Sequence, residues 1–171
     1  VDCIVTLGGD GTNRVVAKGC GTIPIIPIST GTNNVFPFMI EGTVAGLAAG
    51  IIAQGLVDVK NNTVVSKRLE VFLDGELEDM ALVDVAISKE QFVAARAIWD
   101  MGTLHEVFLS RAEPSAIGLA SIGAQLQHIS VNDEYGLRLK LGAGGTKVLA
   151  PVAPGLVDMV PIAEWNRLSY G

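Results

Sequence analysis

The sequence predicts a short parallel α/β portion followed by a mainly antiparallel, sandwich-like β portion. Three observations carry this. A β-rich apolar run at residues 3 to 7 ends in glycines and hands over to a helical stretch, and a second extended run and helix follow before residue 57. From Asp58 onward, strand-turn-strand signals replace that alternation. The composition, 49% hydrophobic and 18% charged over 171 residues, is that of an ordered chain long enough to bury one good core or two small ones.

The elements follow in order. The run at residues 3 to 7 suits a strand buried on both faces, because it is apolar without alternation. A helix is expected over residues 13 to 18, stopped at Gly19 and Gly21. Residues 23 to 28 form a second extended run, and Pro24 and Pro27 within it favour an edge or irregular strand. Thr43 is the expected N-cap of a helix reaching Gln54 and ending at Gly55; its Ala/Gly-rich face allows close packing on a sheet. Residues 1–57 therefore read as part of an α/β domain, and residues 58–171 as a β-rich domain. In the latter, residues 68 to 73 and 76 to 87 flank the Asp74-Gly75 pair, a hairpin signature. Ser88 and Gln91 resemble a capping box for a helix to about Trp99, and residues 104 to 110 are ambiguous. Residues 116 to 124, 136 to 141 and 147 to 152 read as strands, with Ala143-Gly144-Gly145 as the turn joining the last two.

Charge narrows the partners. The net charge is −6, and no basic run exceeds Lys67-Arg68, so the chain has no electrostatic footprint for a nucleic-acid backbone. The longest small-residue apolar run, residues 44 to 53, is about half of what a membrane span needs. A soluble, cytoplasmic protein with no membrane partner is expected. Cys3 and Cys20 have no ligand or disulfide spacing and read as small buried residues. The chain begins at Val1 in what reads as strand interior, so a fragment is expected. Two parallel strands are too few for a doubly wound sheet, and further strands are expected from upstream sequence or from another copy, making a homo-oligomer the expected assembly.

Chemistry concentrates in two loops. Gly8-Gly9-Asp10-Gly11-Thr12 stands where a buried strand meets a helix, so bare N–H groups and the helix dipole can cradle phosphate. Asp10 is out of place in such a cradle unless a metal ion or a reacting hydroxyl sits nearby; the plain alternative is a glycine turn with Asp10 as a helix cap. The second loop, Ser29-Thr30-Gly31-Thr32-Asn33-Asn34, offers neutral donors and acceptors for phosphate or ribose, or is simply an Asx-rich turn. His105 and His128 lack motif partners, and Trp99 and Trp165 read as core or interface. Lys67 and Arg68 read as a solvated strand end.

Residues 4 to 12 resemble the strand and GGDGT loop shared by NAD kinases and diacylglycerol-type lipid kinases. Residues 27 to 37, Pro-Ile-Ser-Thr-Gly-Thr-Asn-Asn-Val-Phe-Pro, are similar to the second loop of the lipid branch. Residues 82 to 87 resemble the NAD-kinase segment bearing an Asn-Glu pair, and residues 150 to 154 its late Ile-Ala-Pro strand. Within this superfamily, residues 8 to 50 and 92 to 99 resemble the acetoin-catabolism protein X family, an NAD kinase-like group. The resemblance implies a partial NAD kinase-like fold, with Gly8, Gly9, Gly11 and Thr12 on the donor phosphates and Thr30, Gly31, Thr32, Asn33, Asn34 and Asp84 on the nucleotide. It assigns Asp10 as base or as organiser of Mg²⁺, and ATP, Mg²⁺ and NAD as ligands. The chain departs from the pattern at Arg14, where the lipid kinases have an acid, at Val83 in place of the amide of the Asn-Glu pair, and at residues 120 to 124, which lack most of the hydroxyls of the NAD-kinase strand. Two functions follow: a phosphotransferase moving phosphate from ATP or polyphosphate to a nucleotide hydroxyl such as that of NAD, linked to acetoin catabolism, or a non-catalytic nucleotide-binding regulator of acetoin metabolism.

Overall fold

The structure, a computed structural model, describes residues 1–90 and 100–169. The helix expected from Gln91 to Trp99 lies outside the described residues. The chain divides into two compact units, Val1–Ser66 and Lys67–Gly171.

In the first unit, β1 (Ile4–Gly8) and β2 (Ile25–Ser29) pair in parallel, from Ile4 opposite Ile25 to Gly8 opposite Ser29. This is the parallel α/β portion the sequence predicts. Helix α1 spans Asp10–Ala17 and begins three residues before the expected start, because Gly11 and Thr12 form its first turn rather than a free loop. Gly9 is its N-cap, without a side-chain hydrogen bond, so Asp10 does not cap the helix. Helix α2 spans Gly42–Ala53, and its N-cap is Glu41 rather than Thr43. The Glu41 carboxylate accepts the Val44 N–H at 3.1 Å and the Thr43 hydroxyl at 3.0 Å, and the Thr43 N–H first, then these two donors, hold its pKa below the ordinary glutamate value. A glutamate side chain reaches the first-turn N–H of Val44, which a cap at Thr43, two residues further on, would leave open. Cys3 and Cys20 are half-buried rather than core residues.

The second unit is built on antiparallel strands. β3 (Leu69–Leu73) and β4 (Glu76–Ala81) form a hairpin whose turn residues, Asp74 and Gly75, both have positive φ (52° and 88°), as an Asp-Gly hairpin turn requires. The expected single strand over residues 76 to 87 is two: β4 pairs with β3, and β5 (Asp84–Ser88) joins another sheet. Leu82 and Val83 between them are buried, and the Ser110 hydroxyl donates to their carbonyls at 2.6 and 3.2 Å, so the chain changes sheets at this point.

A four-stranded sheet in the order β5-β6-β7-β8 contains β6 (Leu104–Leu109), β7 (Tyr135–Ala153) and β8 (Leu156–Ser169). Two expectations fail here. Residues 116 to 124 are not a strand: Gly118, at φ 93°, leads into helix α3 (Leu119–Ala124), whose Ala120, Ser121, Ile122 and Gly123 are buried. Residues 143 to 145 are not a turn: residues 136 to 141 and 147 to 152 belong to one long strand, β7, and the glycines form an irregularity in which Leu141 and Thr146 both oppose Ile162. A Cβ on Gly145 would lie 2.2 Å from the Ile162 carbonyl, so only glycine lets the strand fold against its neighbour there. The hairpin turn lies at Pro154-Gly155 instead, and β8 is an element the sequence signals did not reveal. Val107, Leu109, Ile122, Ile129, Leu137 and Leu139 form the fully buried centre of this unit.

Candidate functional site

Both glycine-bearing loops belong to the first unit, at the C-terminal ends of β1 and β2. The strands present these ends side by side, since Gly8 lies opposite Ser29. Loops at the C-terminal edge of parallel strands are where α/β sheets place ligands. The first N–H satisfied within α1 is that of Asn13, which donates to the Gly9 carbonyl at 3.1 Å. The amides of Asp10, Gly11 and Thr12 therefore have no intrahelical acceptor and carry the positive end of the helix dipole. Gly11 and Thr12 are exposed, and apart from its chain neighbours and the backbone of its own helix no atom lies within 4 Å of where a Cβ on Gly11 would stand, so the turn is open to a ligand.

The second loop is tied down at several points. Its ends close on each other through Ser29 N–H to the Phe38 carbonyl at 2.8 Å and Phe38 N–H to the Pro27 carbonyl at 3.1 Å. Within it, Ser29 donates its hydroxyl to the Gly31 carbonyl at 3.0 Å and accepts from the Asn34 side-chain amide at 2.9 Å. Asn34 also fills the space above Gly9: a Cβ there would stand 2.5 Å from Asn34 Oδ1. The Asp10 carboxylate crosses between the loops, with Oδ1 accepting the Phe36 N–H at 2.7 Å and both oxygens sharing the Val35 N–H at 3.1 Å. Thr30, Gly31, Thr32 and Asn33 remain exposed.

The structure thus brings Gly8, Gly9, Asp10, Gly11 and Thr12 together with the loop that carries Thr30 to Asn34. Asn34 differs from its neighbours in that its amide is engaged inside the protein. Asp84 belongs to the second unit, half-buried on β5 opposite Leu109. Two residues of this network, Asn13 and Thr6, carry no signal as ligands in the sequence. Asn13 is fully buried, accepts the Thr6 hydroxyl at 2.7 Å and donates to the Gly9 carbonyl at 2.9 Å; with buried Ser29 and Thr6 it forms a polar layer under the loops. The hint available in the sequence is Thr6, a hydroxyl in an otherwise apolar strand run.

The donor set fits a phosphate-bearing ligand, because it consists of open backbone amides, hydroxyls and side-chain amides with one carboxylate. Among the described residues, no cluster of three or more His, Cys, Asp or Glu could hold a metal ion. A Mg²⁺ ion at this site would be held by Asp10 together with the ligand's own phosphates and water, the usual arrangement for this ion. No described helix is long and apolar enough to cross a membrane.

In the second unit, Lys67 is not a solvated end. It is buried, and its ammonium donates to the carbonyls of Ser130 and Tyr135 at 2.9 Å each. Burial lowers its pKa, Asp133 opposes that shift and Arg111 adds to it. Arg68 is exposed and pairs with Glu70, and both histidines are exposed.

Comparison with known proteins agrees with this division. Residues 1–56 match the ATP-NAD kinase N-terminal domain, and residues 67–171 match the acetoin catabolism protein X C-terminal domain. The chain is 44% identical over 178 residues to the acetoin catabolism protein X of Cupriavidus necator; the match covers 100% of this chain and 50% of that protein. The chain thus spans half the length of the curated relative it matches. No solved structure matches it. The C-terminal-domain match over residues 67–171, together with this level of identity over the whole chain, places the chain in the acetoin catabolism protein X family.

Proposed function

We propose that the protein is a phosphotransferase of the NAD kinase type that works in acetoin catabolism, moving phosphate from ATP or polyphosphate to a nucleotide hydroxyl such as that of NAD. The observation that carries this reading is the open first turn of α1, with three amides lacking intrahelical acceptors, next to a second loop of exposed hydroxyls and an amide. In the reaction, the acceptor oxygen forms a bond to the terminal phosphorus while the bond to the departing ADP or shortened polyphosphate breaks. The hydroxyl proton passes to Asp10. Among the described residues one hydrogen bond, from the Val35 N–H at 3.1 Å, reaches Asp10 Oδ2, which leaves that oxygen capacity for the proton or for Mg²⁺. Catalysis is then mostly placement and charge neutralisation. Asp84 is assigned to the nucleotide by the resemblance alone. A cytoplasmic location and self-association go with this reading.

The second reading, a nucleotide-binding regulator without turnover, is favoured by a specific observation. Asp10 has a structural task, holding Val35 and Phe36, so its presence does not by itself require catalysis. The experiment is calorimetry and product analysis on the full-length protein with ATP, Mg²⁺ and NAD. Formation of ADP and NADP supports the transferase. Binding without product supports the regulator, and the absence of nucleotide binding overturns both.

A further inference from the structure

The two loops are joined by side chains that were expected to face the ligand. Asp10 accepts the N–H groups of two consecutive residues of the second loop, at 2.7 Å from Phe36 and 3.1 Å from Val35. Asn34 donates to Ser29 at 2.9 Å and occupies the space that the missing side chains of Gly9 and Gly31 leave, 2.5 and 3.1 Å from where their Cβ atoms would lie. Hydrogen bonds from backbone amides to an ionised carboxylate are among the stronger ones in proteins.

We infer that Asp10 and Asn34 are positioning residues: the Asp10 carboxylate latches the second loop onto the first turn of α1, and Asn34 wedges between them, so that the two loops bind phosphate as one preorganised unit. The ligand half of this inference rests on the proposed nucleotide site; the latch itself does not. The sign of one measurement separates the latch from a purely catalytic carboxylate. If Asp10 acted only as base, as a ligand of Mg²⁺ or as a charge beside phosphate, removing it would leave the affinity for metal-free ATP unchanged or raise it. If it holds the loop, removing it lowers affinity although a repulsive charge has gone.

The test uses the full-length protein with Asp10→Ala, Asp10→Asn and Gly9→Ala. Hydrogen exchange of the segment from Thr30 to Pro37 is followed without ligand, and ATP affinity is measured by calorimetry in EDTA, where a lost Mg²⁺ contact cannot lower it. The latch predicts that exchange at Val35 and Phe36 accelerates about tenfold or more in Asp10→Ala and less in Asp10→Asn, whose remaining carbonyl oxygen still accepts one bond. ATP affinity falls about tenfold in Asp10→Ala, with partial rescue in Asp10→Asn. Gly9→Ala, which drives a methyl group into Asn34 and leaves Asp10 in place, should reproduce the faster exchange. Unchanged exchange in Asp10→Ala, or ATP affinity unchanged or higher in both Asp10 variants, overturns the latch. If Asp10→Ala does not fold, Asp10→Asn and Gly9→Ala decide by the same criteria. If the wild type binds no ATP, the nucleotide reading fails while the exchange rates still decide the latch.

Discussion

Lys67 shows how far one residue can depart from its apparent role. A cation at the start of a strand beside a second cation reads as solvated. In the structure, two carbonyls take its protons in a buried setting, and Arg111 adds like charge. Replacing it by methionine leaves the Ser130 and Tyr135 carbonyls without this donor, and the expected cost at neutral pH is about 1–3 kcal/mol in a urea titration. The pH dependence has a definite sign. Because the folded pKa lies below the ordinary lysine value, the unfolded chain binds more protons between the two values. Wild-type stability therefore gains from this group as pH rises through that window, and the gain is absent below it. Lys67→Met should lack the alkaline gain. Parallel pH profiles for the two proteins would refute this account of Lys67.

At the scale of elements, the misread segments share a cause. Residues 116 to 124 are apolar and small over a span too short for periodicity to separate strand from helix. The decision falls to packing: a Cβ on Gly123 would stand 2.3 Å from Leu109 Cδ1, so a helix of small residues fits onto the sheet at that place. Likewise, Gly142, Gly144 and Gly145 signal a break in a strand but not whether the chain turns back or bulges. The cross-strand partner Ile162 settles it. Across β6 and β7, Arg138 grips Glu106 with two hydrogen bonds, at 2.9 and 2.7 Å, a pairing that needs the register Glu106 opposite Lys140 and is invisible in sequence. That contact lowers the Glu106 pKa and raises that of Arg138. A carboxylate with a lowered folded pKa contributes stability above its ordinary value, and loses it as pH falls through the folded one. Glu106→Gln should accordingly melt below the wild type at neutral pH. The gap should close once acid protonates Glu106 in the wild type, and a gap constant from neutral to acidic pH would show that the pair contributes nothing through charge.

For the whole molecule, the two units are unequally built. Among the described residues, the buried apolar side chains of the first unit are Ile28 and Ala45, whereas the second holds a cluster including Val107, Leu109, Ile122, Leu137 and Ile162. The first unit leaves Val5, Leu7, Phe38, Met39 and Leu47 exposed. At about 1.5–3 kcal/mol per fully buried Val, Leu or Ile, the second unit should outlast the first by several kcal/mol. Hydrogen exchange of the 171-residue chain in increasing denaturant should show β1, β2 and α1 opening well before β6, β7 and β8. Simultaneous opening of all of them would contradict this ordering.

What was legible in advance is what local chemistry dictates. The glycine cluster after an apolar run marks a strand handing over to the open first turn of a helix, Asp74-Gly75 marks a hairpin, and the change from strand-helix alternation to hairpins marks the passage from an α/β portion to a β-rich one. Each of these depends on residues a few positions apart, whose conformational limits act wherever the chain finally packs. Contacts between distant residues were decided by the tertiary structure alone. Asp10 meets Val35 and Phe36, Lys67 meets Ser130 and Tyr135, and Ile162 receives both Leu141 and Thr146. Such pairings depend on which surfaces close against each other, and the burial and hydrogen-bond geometry that assign a role to Asp10 or Lys67 come into being only when they do.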